Sequence, residues 1–195
     1  MKVLNGFTPQ TAQNLQLDAG IIVRGLKDPS TFTGELGEAK SIGATSGGGK
    51  FSAVPTMRNL FEDLDGAKGV YKGGQVIDGW DIRLTATIKE MTTENLRMAL
   101  AAADTTTEGQ YDVTKARMTV ELKDYLDNIC FLGTVNGKNE PMIIELKNVL
   151  NTNGLNISTT DKGTGSVELD LVAHFDLSKP EEVPFAIYTP KAKAE

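Results

Sequence analysis

The chain carries little with which to do chemistry. Among its 195 residues there is one cysteine, Cys130, and one histidine, His174. A single cysteine excludes an intrachain disulfide, and this pair is too small a set of soft ligands for a zinc site. A nucleophile-and-base constellation cannot be assembled around one histidine either. Aromatic residues make up only 6%, with Trp80 the sole tryptophan. No run of about 18 apolar residues occurs, so no membrane-spanning helix is expected. The first ten residues, MKVLNGFTPQ, lack the apolar stretch of a secretory signal. A basic excess is missing too: 20 Lys and Arg face 26 Asp and Glu, a formal net charge of −6. That balance argues against gripping nucleic acid by neutralising phosphates. These shortages lead us to expect a soluble domain assembled inside the cell.

Glycine and threonine are plentiful, at 20 and 21 residues. Threonine favours strands, and glycine marks their turns and bulges. Trp80–Ile88 alternates apolar with polar residues, as a half-buried strand does. Residues 115–122 alternate likewise, with Ala116, Met118, Val120 and Leu122 opposite Lys115, Arg117, Thr119 and Glu121. Val167, Leu169, Leu171, Ala173 and Phe175 form a third apolar face, opposite Ser166, Glu168, Asp170 and His174. Asn136-Gly137 separates Ile129–Val135 from Met142–Leu146 and predicts a type I′ hairpin. Gly20–Leu26, Ala39–Thr45 and Lys50–Met57 are shorter candidates, the last an edge strand or bend because it contains Pro55. One helix is expected, capped by Thr92 or Thr93, with an apolar stripe of Leu96, Ala99, Leu100 and Ala103. About three turns long and unable to stand alone in water, it must lie on the sheet. The expected fold class is mainly β: an antiparallel β-sandwich or barrel flanked by one short α-helix, with extended loop and terminal arms.

Three segments fit neither core nor tight turn. Residues 1–19 form an N-terminal arm, 20–179 the β domain, and 180–195 a C-terminal arm. Within the domain, 59–79 carries five glycines. Phe61, Val70, Tyr71, Phe185, Ile187 and Tyr188 lie in these segments without core periodicity, so they pack either on their own domain or on a partner chain.

Other motifs are weak. Gly47-Gly48-Gly49-Lys50 has the end of a phosphate loop, but Ala44 and Phe51 break the pattern and no helix is expected to follow. A flexible glycine turn is the better reading. Cys130, within Ile129–Leu132, reads as a small buried hydrophobe. His174 reads as a surface or interface residue. Glu62, Asp63 and Asp65 lack calcium-loop spacing and read as a solvated loop.

The stretch Ile42-Gly-Ala-Thr-Ser-Gly-Gly-Gly-Lys-Phe-Ser-Ala-Val-Pro55-Thr-Met-Arg58 resembles the "GAT.GG..F..VP..R" pattern of phage major tail proteins. Asp65-Gly66, Ile77-Asp-Gly-Trp80 and Lys89-Glu90-Met91-Thr92-Thr93-Glu94-Asn95-Leu96 follow at similar spacing. The chain is similar to tail tube subunits of long-tailed phages of Gram-positive hosts, closely over 42–103 and in pattern alone over 110–176. The resemblance implies hexameric rings of this chain stacked into a hollow tube in the virion tail, assembled in the host cytoplasm. It implies partnership with a tape-measure protein and other tail proteins, passage of double-stranded DNA without specific binding, and no membrane partner. It carries over no catalytic, cofactor-binding or metal-binding residue, so no enzyme is expected.

A globule of this length has a diameter of roughly 40 Å, and six in a ring leave a bore of about that width. An acidic lumen would repel phosphates and let DNA slide. Glu168 and Asp170, then Asp81 and Glu121, are the lumen candidates. Arg83, Lys115 and Arg117 on the same faces dilute that charge. Phe61, Asp65, Val70, Tyr71, Phe185 and Tyr188 are candidates for contacts between rings or subunits. Segment 59–79 is the expected ring-stacking loop, with 28–50 second, and the helix is expected on the tube exterior. The alternatives are the inner tube of a contractile tail or tailocin, a monomeric virion β-sandwich binding module, and a phosphate-loop hydrolase built on Lys50.

Overall fold

The computed structural model describes residues 6–8 and 10–191. Strands β1 (Ile21–Arg24), β2 (Lys40–Ser41), β3 (Thr45–Asn59) and β4 (Gln75–Ile88) precede the helix α1 (Thr93–Ala99). After it come β5 (Ala103–Glu108), β6 (Tyr111–Ala116), β7 (Leu126–Gly133), β8 (Met142–Asn151), β9 (Asn156–Ser158), β10 (Ser166–Ala173) and β11 (Phe185–Tyr188). Nine strands form one sheet in the order β2-β1-β7-β8-β10-β4-β3, with β11 beside β8 and β9 beside β10. Strands β5 and β6 make a separate hairpin. Every pairing is antiparallel. The chain is mainly β with one short helix, consistent with an antiparallel β-sandwich.

Strand β8 joins the layers. One edge pairs with β7. The other pairs with β11 through Ile143–Leu146 and with β10 through Val149–Asn151. Between these stretches Asn148 takes a left-handed backbone, φ 51°. Asparagine tolerates that conformation better than most residues, and here it marks where β8 changes partner.

The alternating strands point their apolar faces at one core. Ile82, Leu84, Ala86 and Ile88 of β4 meet Val167, Leu169, Leu171 and Ala173 of β10, and Ile129, Leu146 and Val149 close the cluster. A smaller cluster, Val23, Leu26, Ala39, Cys130, Leu132 and Ile143, lies on the other face of β1 and β7 beneath Phe32, Leu36 and Tyr188. Strand β7 is therefore buried on both faces. This is why Ile129-Cys-Phe-Leu132 shows no alternation.

The helix spans seven residues, shorter than its apolar stripe implied. The Thr92 hydroxyl accepts from the Asn95 N–H at 3.2 Å. Ala101 is left-handed, φ 63°, which stops the helix and lets Ala103 open β5. Asn95 Nδ2 donates to Ile42 O at 2.8 Å, and Asn151 Nδ2 donates to Ala99 O at 2.7 Å, so two buried amides pin the helix to the sheet.

Four local expectations are corrected. Residues 117–121 are not strand: β6 ends at Ala116, and a short 3-10 turn over Leu122–Asp124 precedes β7. Gly47–Gly49 is not a turn but lies inside β3, where Gly47 and Gly48 have φ 78° and 75° and the register with β4 slips. Asn136-Gly137 is not a two-residue type I′ turn. Only Gly137 has a positive φ, and β7 reaches β8 through residues 134–141. Asn136 instead holds residues 12–15: its N–H donates to Leu15 O at 2.9 Å and its Nδ2 to Ala12 O at 2.8 Å. Part of the expected N-terminal arm therefore lies on its own domain, and residues 1–5 and Pro9 fall outside the described residues. Finally, Ala103 opens β5 and does not belong to the helix stripe, and the β5–β6 hairpin, whose Thr-rich, exposed strands bury only Ala103 fully, has no counterpart in the sequence reading.

Candidate assembly interface

The two stretches that carry the resemblance fold against each other. The Ala44 N–H donates to Glu90 Oε1 at 2.8 Å, and the Lys89 N–H donates to Ala44 O at 2.8 Å. Gly43 has φ 103°, and a Cβ there would stand 2.6 Å from the Glu90 carboxyl carbon. Glycine is needed here for its backbone and for its lack of a side chain. Beyond this clasp, β3 and β4 run together as a hairpin whose far half leaves the sandwich. Strand β10 covers β4 only from Arg83 to Ile88. The rest of β4 is paired by β3 alone.

This projecting hairpin exposes many apolar side chains among its charged ones. Val54, Met57, Leu60, Leu64, Val70, Tyr71, Val76 and Ile77 are all exposed. Arg58 and Asp78 pair across it, with Nε–Oδ2 2.8 Å and Nη2–Oδ1 3.0 Å. That hydrogen bond raises the guanidinium pKa and lowers that of the carboxyl. At the tip, Phe61 and Tyr71 meet edge to face, 5.9 Å between centroids, and the Tyr71 hydroxyl accepts from the Lys68 N–H at 3.1 Å. Leu60 N–H to Gly74 O at 2.8 Å closes the base of the tip. The segment 59–79 is thus no loose loop: its ends are strand, and residues 60–74 form an ordered cap. Phe61 and Tyr71 pack on each other, while Val70 and Asp65 point to solvent.

The polar face of β10, β4 and β3 brings three of the four acidic candidates together. Glu168 is paired with Thr87 and Asp170 with Thr85 in register. Arg83 Nη1 donates to Asp170 Oδ2 at 2.7 Å, and its Nε contacts Asp81 Oδ1 at 2.8 Å. These acids raise the Arg83 pKa, the Asp81 hydrogen bond most of all. Lys50 lies opposite Thr85 on β3. Glu168, Asp170, Asn153 and the Ser46–Lys50 bulge surround a shallow, open depression of about 480 Å³. Its wall carries mixed charges, and among the described residues Asp170 Oδ1 is buried without a hydrogen-bond partner while Oδ2 takes the Arg83 guanidinium.

Glu121 is elsewhere. It sits in the loop between β6 and β7, bound to Arg117 at 3.0 Å and to Lys123 at 3.0 Å. It does not share a strand face with Glu168 because no strand exists there.

Phe185 and Tyr188 make contacts within their own domain. They belong to β11, a strand of the chain's own sheet. Phe185 stacks at 5.8 Å from both Phe51 and Trp80 and is half-buried. The Tyr188 hydroxyl donates to Glu145 Oε2 at 3.0 Å, and burial with that bond pushes its pKa up to about 12. Both side chains serve this domain. Residues 192–195 of the expected C-terminal arm fall outside the described residues.

Cys130 is fully buried, its thiol pushed up to about 12 chiefly by desolvation. His174 is half-buried, its ring edge to face with Tyr125 and its Nδ1 3.1 Å from Asn148 O. Among the described residues no group of three or more His, Cys, Asp or Glu is placed to hold a metal, and no helix is long and apolar enough to cross a membrane.

Sequence reasoning missed one exposed feature. Met118 and Leu122 are almost wholly exposed, with Val120 beside them. Their alternation read as the buried side of a strand. Alternation reports that two faces differ, not which one meets solvent.

No family model matches the chain, and no curated protein matches it.

Proposed function

We propose that this chain is the structural subunit of a phage tail tube, forming hexameric rings that stack into a conduit for DNA. The observation that carries the reading is an unfinished sheet. Strand β3 is 15 residues long, about 50 Å at 3.3 Å per residue, and among the described residues it pairs only with β4. Its outer edge offers a ladder of backbone groups to a neighbour, and a closed ring of subunits removes such edges altogether. The edge is also selective. Pro55 withholds one donor, and bulges at Ser46/Gly49 and Thr56/Met57 limit the registers a partner strand can adopt.

The apolar hairpin beyond the sandwich gives the subunit a way to reach a neighbouring copy. The acid-bearing face of β10, β4 and β3 gives a candidate bore lining, in which Arg83 moderates the charge of Asp81 and Asp170 while Glu168 stays unpaired among the described residues. DNA then meets a wall that is weakly repulsive and smooth. The tape-measure protein would occupy the bore before ejection, as the resemblance implies.

Negative-stain imaging of the purified protein at high concentration tests this. Rings or tubes with a central hole are the expected result. Isolated globules at every concentration, eluting as monomers, would favour the binding-module alternative instead.

A further inference from the structure

We infer that Asn153 is a site of spontaneous modification: the Gly154 backbone nitrogen attacks its side-chain amide, and the product is a new carboxylate on the acid-bearing face. The chain holds three Asn-Gly pairs, at 5–6, 136–137 and 153–154. Asn5 falls outside the described residues. The reaction asks for an asparagine followed by a residue with no side chain to shield its N–H, because that nitrogen must reach the asparagine Cγ. On sequence the two described pairs are equivalent. The structure separates them.

Asn136 is held. Its N–H donates to Leu15 O at 2.9 Å and its Nδ2 to Ala12 O at 2.8 Å. The same segment crowds the next residue, since a Cβ built on Gly137 would stand 3.0 Å from Gln13 Cβ. The Asn136 amide must leave Ala12 O before it can turn toward the Gly137 nitrogen. Asn153 needs no such release. It is exposed, and among the described residues its side chain makes no hydrogen bond. A Cβ built on Gly154 would meet nothing within 4 Å, so a ring has room to close there. The surrounding backbone is fixed at the same time. Asn153 O accepts from Asn156 Nδ2 at 3.0 Å, and Gly154 O accepts from Asn151 Nδ2 at 3.2 Å. A free side chain thus stands on a held turn.

The steps balance with water as the co-reactant. The Gly154 N–H gives its proton to solvent, and the nitrogen forms a bond to Asn153 Cγ. The Cγ–Nδ2 bond breaks and the nitrogen leaves as ammonia, taking a proton, which closes a succinimide ring. Water then opens the ring. Opening at Cγ gives aspartate, and opening at the main-chain carbonyl gives isoaspartate. Either product is negative where the amide was neutral. Asn153 lines the same depression as Glu168, Asp170 and Lys50, so the charge is added to that face. The modification itself does not depend on the tube reading.

Peptide mapping by mass spectrometry tests this on the folded, full-length chain held in warm, mildly alkaline buffer. The Asn153 peptide should convert faster than the Asn136 peptide by about tenfold or more, because only Asn136 must first break its hydrogen bonds. In urea, where the Ala12 and Leu15 contacts are gone, Asn136 should accelerate and the ordering should collapse. Anion exchange should show a more acidic form growing at the rate of the Asn153 peptide. Asn153→Gln, whose longer side chain disfavours the five-membered ring, should melt like the parent and lose that acidic form. Equal rates at Asn136 and Asn153 in the folded chain would overturn the inference. So would an Asn153 that stays intact when folded but converts in urea, or an acidic form that persists in Asn153→Gln.

Discussion

Arg83 on β4 and Asp170 on β10 join across the seam between their strands, Nη1 to Oδ2, at 2.7 Å. Asp81 shares the same guanidinium. One cation thereby ties two of the acids proposed as candidates for a channel wall. Arg83→Gln should leave the fold intact, costing about 1 kcal/mol or less, because partly exposed ion pairs contribute little. It should nevertheless make assembled particles more salt-dependent, since uncompensated acids in adjacent copies then repel. Melting temperature and particle size measured across a salt series check both parts. Assembly indifferent to salt in parent and variant would remove this face from the bore.

Strand β11 is tested through Trp80, the only tryptophan and a direct neighbour of Phe185. Phe185→Ala should destabilise the subunit by about 2–3 kcal/mol, somewhat under the value for a fully buried phenylalanine. Truncation after residue 179 should cost more, because the Ile143–Leu146 edge of β8 loses its partner. Urea unfolding followed by tryptophan fluorescence measures both. A truncated chain as stable as the parent would return residues 180–195 to the status of an arm.

Replacing residues 60–74 with a two-residue Asn-Gly turn should preserve the β3–β4 hairpin, since the Arg58–Asp78 pair and the ladder below it remain. The shortened subunit should stay folded and soluble but fail to build tubes. Imaging beside circular dichroism separates these outcomes; normal tubes would show that the tip is dispensable.

Asp124 gives a pH-dependent signature. Burial alone would raise its pKa, but the Glu121 N–H and the Arg117 guanidinium hold it below the ordinary 3.8. A depressed folded-state pKa stabilises the protein above pH about 4, and that contribution disappears as pH falls through the folded value. Asp124→Asn should therefore melt a few degrees lower than the parent near neutrality, with the gap narrowing below pH about 4. A gap that is unchanged down to pH 3 would mean that the charge of Asp124 is not what holds the loop.

Gly20 has φ 67°, and a Cβ there would sit 2.5 Å from Leu132 O. Gly20→Ala should cost about 1–3 kcal/mol from backbone strain, before counting the collision. Gly79→Ala, in open space without a positive φ, should be nearly silent. Thermal melting of the pair decides whether position 20 requires a glycine where position 79 does not.

Much of the fold was legible in the sequence wherever one side of a strand is dry and the other wet. Strand β10 was read almost to its ends because Val167–Ala173 alternate, β4 was read only from Trp80 onward, its first residues having been assigned to the 59–79 loop, and Pro55 correctly marked an edge strand or bend. The helix cap at Thr92 was readable because capping is local chemistry. Strand β11 was not readable: Phe185-Ala-Ile-Tyr188 is short, flanked by prolines, and becomes a strand only because β8 offers it a free edge. The hairpin of β5 and β6 was hidden for a related reason, since its strands bury almost nothing and leave no apolar period to detect.

The sequence by itself determined the class of the molecule. Local alternation and turn residues already required a mainly β chain. Tertiary structure alone decided which apolar residues face inward. Phe185 and Tyr188 pack half-buried against the core, while Met118 and Leu122 were left in solvent. The physical reason is that burial is a property of what stands opposite a side chain, and opposition across a sheet is made by residues distant in the chain.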